Sequence, residues 1–492
     1  MNAIQATIEK YLGFAAVILC CWLVVIWSRV FTAYEFGGDE GYELYKGYLL
    51  SNGYHLYSDI WNDQPPLHTW LLSWLFSVLG RSAGVGRCVS VISCGFICYA
   101  VAIIGFRMAG WKAALSSVII LLAWPNVFEL SISAMLEIPM MALFAGSLII
   151  IVVRSKILGL PTIVGSAFVF ALGVMVKLTA LLFAPAVVVA IFCGCFDNKL
   201  IEGWNLQVIY SALRKSLVWC FMVVLFALLC WLVVYDISVL PTLTRSHFSI
   251  IDYAAKREIS AYRLEIDKVI DVVEYIAAAV MGVFFLIARR KMWAFVPVVM
   301  LLTVAVVHAV HRPYWNYYSA HFSVPVALLA GCFVSSSVDM AMAFGATRGK
   351  LIMIVAAMPA FLICAEAVMD VQVALTSARD RPQIDQVPVL QRIKSRMSGD
   401  ALVFSDRPIL CFHAGAMMPP QLCVLPAKRY WGTGLTREEV IKQVREAGVR
   451  QVVLFDPILK RLYKDAPPDW IVQDFSEVDA DYWVDQKLVN EE

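Results

Sequence analysis

Long apolar runs separated by short polar segments occupy the first three-quarters of the chain. The first run, Tyr11–Phe31, is about 20 residues long, which is enough to cross a hydrocarbon core roughly 30 Å thick. Ten further apolar runs lie at about 86–106, 114–130, 134–153, 162–176, 178–196, 216–235, 272–288, 293–310, 318–337 and 351–369. The pattern predicts a mainly α-helical protein in which residues 1–372 form a polytopic bundle of about 11 transmembrane spans.

Composition supports a membrane protein. Of the 492 residues, 60% are hydrophobic and 16% are charged, against about 45–50% and about 25% in soluble proteins. The formal net charge is only +2 and no basic cluster occurs, so a nucleic-acid partner is not expected.

The distribution of charge predicts the orientation of the bundle. If the N-terminus is inside, every inside connection between spans contains lysine or arginine, as the positive-inside rule requires. Most acidic residues fall in the outside connections. We therefore expect a multi-pass protein of the cytoplasmic (inner) membrane whose C-terminal segment lies outside.

The first outside loop, about 33–85, predicts two helices rather than extended chain. Tyrosine and leucine recur at helical spacing along Asp39–Leu50. Leu67–Leu79 follows two prolines, is too short to span a bilayer, and has a serine and threonine stripe opposite Trp70 and Trp74. Such amphipathic helices belong at the membrane surface.

Residues 373–492 predict a small α/β domain outside the membrane. Ala401–Ser405 and Gln451–Phe455 have the composition of strands, and Thr436 with Glu439 forms a capping box for a helix between them. Cys411 and Cys423 are the two cysteines of this region, and whether they pair stays open.

Four charged residues, at three places in the sequence, are candidates for chemistry on the outer side. Asp39 and its neighbour Glu40 follow two glycines, Glu137 begins the fourth span, and Lys177 interrupts an apolar run. Each also has a structural explanation: Asp39 as a helix cap, Glu137 as compensation of a helix dipole, and Lys177 as a lysine extending to the head groups.

A second group lies between the ninth and tenth spans. Aromatic residues at the membrane interface explain the tyrosines and tryptophan of this segment without a function. Arg312 and His321 are less easily explained in that way. The chain contains no metal-binding motif and no P-loop.

A carboxylate and a cation that both lie on the outer side of the membrane suit the transfer of a sugar from a lipid phosphate. The carboxylate would deprotonate the acceptor hydroxyl, and the cation would neutralise the departing phosphate. A phosphate leaves readily once its charge is neutralised, so a second carboxylic acid to protonate it is unnecessary.

The first outside loop contains Gly38-Asp39-Glu40-Gly41, Gly53–Asp59 and Gln64–Leu71, and downstream follow Gly86-Arg87, Glu137-Ile138-Pro139, Gly173–Thr179 and Tyr318–Pro325. Together these motifs resemble those of the GT-C glycosyltransferases, in particular the protein mannosyltransferase and aminoarabinose (lipid A) transferase superfamily.

The resemblance implies an inverting transferase with a polyprenyl-phosphate-linked sugar as donor and a lipid, glycan or protein as acceptor. Asp39 matches the family's catalytic acid, with Glu40 beside it and Glu137 at the second acidic position. Lys177 matches a ligand of the donor phosphate, and Arg87 and Arg312 are further candidates for that role. His68, Tyr318 and His321 are other candidate residues of the pocket. No cofactor follows from the sequence, although a divalent metal is conceivable if Asp39 and Glu137 converge.

Two other functions remain open at this point. A transporter or lipid flippase would have a similar number of spans, but the chain lacks the repeats and broken helices typical of transporters. A non-catalytic membrane scaffold would use the C-terminal domain to bind a partner, and its first-loop residues would line no cavity.

Overall fold

The computed structural model describes most of the chain. It covers residues 27–155, 158–196, 206–234, 271–289, 292–311, 314–348, 350–397, 401–426, 429–430, 435–454, 475–479 and 482–485. The first predicted span lies almost entirely outside these residues.

Each of the other ten apolar runs contains a helix. In chain order these helices are α3 (Ala83–Ala109), α4 (Trp111–Ala123), α6 (Glu137–Val153), α7 (Leu160–Val176), α8 (Ala184–Cys195), α9 (Leu206–Val234), α10 (Val273–Ala288), α11 (Phe295–Val310), α12 (Ala320–Arg348) and α13 (Lys350–Arg379). Short 3₁₀ turns at Leu178–Phe183, Met292–Ala294 and Asn316–Ser319 lead into α8, α11 and α12.

Within the described ranges, six helical segments are long and apolar enough to cross a membrane. Four of the ten helices, together with the first-loop helix Leu67–Leu79, are apolar but shorter. Large apolar side chains such as Leu217, Phe221 and Phe284 are exposed on the bundle, as expected for surface that faces lipid. The chain is therefore a mainly helical, multi-pass membrane protein.

Glycines permit the closest helix contacts in the bundle. A Cβ at Gly282 in α10 would lie 1.9 Å from the backbone oxygen of Leu329 in α12. A Cβ at Gly331, also in α12, would lie 2.1 Å from the hydroxyl of Ser117 in α4. Small residues at these crossings let the backbones approach, which is a common basis of helix association in membranes.

Both helices expected in the first outside loop are present. They are α1 (Glu40–Ser51) and α2 (Leu67–Leu79), and a one-turn helix, α5 (Val127–Ser131), follows α4. Gly47 of α1 packs against Leu72 of α2, where a Cβ would lie only 2.7 Å from the leucine. The two helices thus form a compact pair.

The C-terminal segment contains a four-stranded sheet. Its strands are β1 (Leu402–Ser405), β2 (Val449–Val453), β3 (Phe475–Asp479) and β4 (Tyr482–Asp485), in the order β1-β2-β4-β3. β1 and β2 are parallel, whereas the β2–β4 and β3–β4 pairs are antiparallel. The helices of the segment are α14 (Pro388–Ser395), α15 (Pro408–Ala414) and α16 (Arg437–Glu446).

Details of this segment can be compared with the sequence. The hydroxyl of Thr436 accepts a hydrogen bond from the backbone N–H of Glu439 at 3.2 Å, as the capping box predicts. Cys411 and Cys423 are both buried and free. α13 continues to Arg379, so the predicted boundary at 372–373 falls inside a helix.

The C-terminal segment shares a hydrophobic core with the first outside loop. The phenol oxygen of Tyr45 in α1 donates to the carbonyl of Ala416 at 2.8 Å and accepts from the N–H of Met418 at 2.7 Å. Gly41 of α1 contacts Ile409 of α15, where a Cβ would lie 2.8 Å from the backbone nitrogen. The loop and the C-terminal segment therefore fold against each other rather than as separate units.

Candidate functional site

A small cleft lies where the first outside loop meets the bundle. It is lined by parts of the chain that are distant in sequence: Asp39, Tyr42, Glu43, Lys46, Trp61, Asp63 and Gln64 from the first loop, Met135, Leu136, Glu137, Lys177 and Tyr317 from the bundle, and Val424 and Pro426 from the C-terminal segment. Three of the predicted site residues, Asp39, Glu137 and Lys177, thus share one hollow.

Asp39 occupies the N-cap position of α1, but its side chain makes no capping hydrogen bond. The backbone carbonyl of Asp39 accepts from the N–H groups of Tyr42 and Glu43 at 3.1 and 3.4 Å. The residue is partly exposed and lines the cleft. From the sequence, Asp39 could be explained as a helix cap. Because its side chain makes no capping hydrogen bond, capping does not explain why a carboxylate occurs at this position.

Lys177 lies at the break between α7 and the following 3₁₀ turn, with an extended backbone (φ −155°, ψ 132°). Its ammonium forms a hydrogen-bonded ion pair with Glu137, the first residue of α6. The ammonium also lies 4.8 Å from the ring centroid of Tyr317 and 5.3 Å from that of Tyr318. Lys177 is only 4% exposed, so it does not extend to the outer surface as a snorkelling lysine would.

Arg87 and Glu40 form a buried ion pair behind the cleft. The guanidinium donates from Nε and Nη2 to the two carboxylate oxygens of Glu40 at 2.8 and 2.9 Å. Its remaining N–H groups go to the carbonyls of Val30, Ala33 and Tyr34. All five N–H groups of a guanidinium are then used.

This arrangement differs from the predicted roles of both residues. Both side chains are fully buried, and neither is among the described residues that line the cleft. Burial would raise the pKa of Glu40, but the charge of Arg87 and hydrogen bonds from Arg87 and two backbone N–H groups hold it below its usual range. The pair ties the start of α1 to α3, since Glu40 begins α1 and Arg87 lies in α3. The same carboxylate also accepts from the N–H of Ala134, between α5 and α6.

A second set of charged residues in the cleft was not singled out from the sequence. The ammonium of Lys46 donates to Glu43 Oε1 at 2.8 Å and to Asn62 Oδ1 at 3.0 Å. Gln64 Nε2 donates to Asp63 Oδ2 at 3.0 Å. The available signal was a glutamate and a lysine three residues apart on a helix otherwise rich in tyrosine and leucine.

The predicted aromatic and histidine positions lie next to the cleft rather than in it. The ring of Tyr318 stacks on His308 and His321, and the facing nitrogens of the two imidazoles are 3.0 Å apart. His308 was not predicted. His68 is buried, and its Nε2 lies 3.3 Å from the carbonyl of Ala134. Of these residues, Tyr318 lies close to Lys177, with its ring centroid 5.3 Å from the ammonium.

Two predicted features need separate mention. Arg312 lies outside the described residues. Across the part of the chain that the structure describes, no three histidine, cysteine, aspartate or glutamate side chains are grouped so that they could hold a metal ion.

Comparison with solved structures shows the fold. The crystal structure of ArnT from Cupriavidus metallidurans bound to undecaprenyl phosphate superimposes with a TM-score of 0.60 and 13% identity, over 98% of each chain. The archaeal oligosaccharyltransferase AglB from Archaeoglobus fulgidus, in complex with an inhibitory peptide and a dolichol-phosphate, gives 0.58 and 11%, over 91% of this chain and 69% of AglB.

Sequence comparison gives no match: no protein-family model and no curated protein sequence matches the chain. Both structural neighbours are GT-C proteins. The resemblance predicted from the first outside loop is thus confirmed at the level of architecture, and the chain has the GT-C fold.

Proposed function

We propose that the protein is a glycosyltransferase that moves a sugar from a polyprenyl-phosphate donor to an acceptor hydroxyl or phosphate at the outer side of the cytoplasmic membrane. The observation that carries the proposal is the convergence of Asp39, Glu137 and Lys177 on one cleft. The GT-C fold supports it, because ArnT has that fold and was crystallised with undecaprenyl phosphate.

In this proposal Asp39 is the base. Its carboxylate takes the proton of the acceptor hydroxyl while the hydroxyl oxygen attacks the anomeric carbon of the sugar. The bond from that carbon to the phosphate oxygen breaks, and the electron pair leaves with the phosphate. Attack from the face opposite the phosphate inverts the anomeric centre.

Lys177 neutralises the departing phosphate. A buried ammonium stabilises the charge that develops on the leaving group more strongly than one in water would. Glu137 is a positioning residue that holds the ammonium at the cleft in the absence of donor, since the two form an ion pair. The phosphate then binds to the N–H groups of Lys177 that Glu137 leaves available.

An apolar groove next to the cleft suits the prenyl chain. Its walls come from α2, α7 and α9 and include Leu67, Trp70, Met175 and Phe226. Met175 lies two residues before Lys177, so a lipid in the groove would bring its phosphate to the cleft. Burial of methylene groups then contributes to donor affinity.

The same observations weigh against transport and a scaffold role. The Glu137–Lys177 pair joins the first residue of α6 to the residue that ends α7, so it lies at one end of the bundle. A transporter site is expected near the middle of the membrane instead. A scaffold has no need of a cleft in which a carboxylate and a buried ammonium converge.

The test is sugar transfer by Asp39→Asn in proteoliposomes. Undecaprenyl-phosphate hexoses serve as donors, and the lipid and glycan fraction of the source membrane serves as acceptor. We expect the rate to fall by about 100-fold or more, because general base catalysis contributes 10²–10⁴, while undecaprenyl phosphate still binds.

The matched control is Asp59→Asn in the same loop. The carboxylate of Asp59 accepts from the N–H of His55 at 2.8 Å, and Asp59 is not among the described residues that line the cleft. It should retain the wild-type rate. Transfer by Asp39→Asn at the wild-type rate would reject Asp39 as the base.

A further inference from the structure

One wall of the cleft has no role in the mechanism above. Glu43 and Lys46 lie on consecutive turns of α1, and Trp61 and Gln64 lie in the segment between α1 and α2. All four side chains line the same cleft as Asp39 and Lys177. Glu43, Lys46 and Gln64 are more than nine-tenths buried.

This wall has unused hydrogen-bonding groups. In the described part of the chain, Glu43 Oε2, Gln64 Oε1 and Trp61 Nε1 have no hydrogen-bond partner. A buried polar group without a partner is destabilising, because it has lost its hydrogen bonds to water. Three such groups in one small cleft therefore indicate a ligand that supplies the missing partners.

The unused groups are held in place by their neighbours. Lys46 fixes the other carboxylate oxygen of Glu43 at 2.8 Å, and Asp63 fixes the amide nitrogen of Gln64 at 3.0 Å. The Trp61 ring lies 5.6 Å from the guanidinium of Arg429. Such pre-organisation is characteristic of a binding site, because little entropy is lost when the ligand binds.

The chemistry of the groups selects the ligand. Two are acceptors and one is a donor. A phosphate carries only acceptor oxygens at neutral pH and would be repelled by the carboxylate of Glu43. A sugar hydroxyl both donates and accepts, so neighbouring hydroxyls match two acceptors and a donor.

We infer that Glu43, Trp61 and Gln64 form the subsite that binds the hydroxyl groups of the transferred sugar. The inference rests on the proposed function. The cleft then has a phosphate side at Lys177 and a sugar side at Glu43 and Gln64. Asp39 acts as the base on the acceptor hydroxyl that attacks the bond between sugar and phosphate. Lys46 is a positioning residue that orients Glu43.

The test compares the bare lipid with three hexose-carrying lipids in nanodiscs. Dissociation constants are measured for undecaprenyl phosphate and for undecaprenyl-phosphate glucose, mannose and galactose, with wild type, Gln64→Leu and Trp61→Phe. We expect at least one hexose lipid to bind wild type more tightly than the bare lipid. Each variant should weaken the binding of that hexose lipid by about tenfold. The affinity for the bare lipid should stay within twofold of the wild-type value.

The control is Gln443→Leu in α16, because Gln443 Oε1 also lacks a hydrogen-bond partner among the described residues but lies outside the cleft. It should change neither affinity. The inference is overturned if no hexose lipid binds wild type more tightly than the bare lipid, or if Gln64→Leu and Trp61→Phe weaken both lipids equally or neither. If wild type binds no undecaprenyl lipid at all, the proposed function itself is rejected. Binding of the bare lipid by the variants also shows that they are folded.

Discussion

Neighbouring acidic residues in the first outside loop have separate environments. Asp39 is partly exposed in the cleft, whereas Glu40 is fully buried against Arg87. The sequence placed both acids next to each other and Arg87 at the start of a span, but it could not show that Glu40 and Arg87 pair with each other. That pairing depends on α1 and α3 crossing, which periodicity does not predict.

Arg87→Met should destabilise the fold strongly. Removing one member of a buried ion pair leaves an uncompensated charge and typically costs about 3–5 kcal/mol. The midpoint of thermal unfolding in detergent should therefore fall clearly, and the double variant Glu40→Gln/Arg87→Met should recover part of the loss. An unchanged midpoint with lost binding of undecaprenyl phosphate would instead support the phosphate role that the resemblance had implied for Arg87.

At the level of elements, most helices could be predicted from apolar periodicity. α1 and α2 match the expected Asp39–Leu50 and Leu67–Leu79, because proline and glycine mark their ends. The long run predicted at 114–130 is divided into α4 and α5 around Pro125. Glu43 and Lys46 were not predicted as site residues because charged side chains are expected on a helix at the membrane surface. The sequence therefore contained no sign that these two side chains are buried.

Gly282→Ala should disturb the contact between α10 and α12. The added Cβ would lie 1.9 Å from the carbonyl oxygen of Leu329, which is backbone and must move. Overpacking of this kind costs about 1–3 kcal/mol, so the unfolding midpoint should fall. Gly165→Ala in α7 is the control, because a Cβ there meets nothing within 4 Å. Equal midpoints for the two variants would contradict this packing.

At the scale of the whole molecule, the C-terminal segment completes the site. Val424 and Pro426 line the cleft, and α15 packs on α1. The sequence predicted the strands and the capped helix, but it assigned them to a separate domain. Contacts between α1 and residues about 370 positions later, such as Tyr45 with Ala416, are not visible in any local pattern.

The stability of the folded protein should depend on pH through Glu35, which lies 3.8 Å from Arg407 of the C-terminal segment. Burial, followed by the charge of Glu40, raises the pKa of the Glu35 carboxyl to about 8. The folded protein then holds a proton that the unfolded chain releases near pH 4.5, so stability falls as pH rises. The slope is about 1.4 kcal/mol per pH unit between about pH 5 and pH 8.

Glu35→Gln should remove this contribution, which unfolding midpoints measured from pH 5 to pH 9 would show as a flatter curve. Glu446→Gln is the control, since Glu446 is exposed and pairs with Lys442 at 3.7 Å on the helix surface. Parallel curves for wild type and Glu35→Gln would contradict the buried, protonated state of Glu35.

The most direct measurement of the central claim is a cryo-EM structure of the protein with undecaprenyl phosphate. We expect the phosphate in the cleft, with one oxygen about 2.7–2.9 Å from the Lys177 ammonium and the prenyl chain along Leu67 and Met175. A phosphate bound elsewhere, with the cleft empty and Lys177 still paired with Glu137 alone, would contradict it.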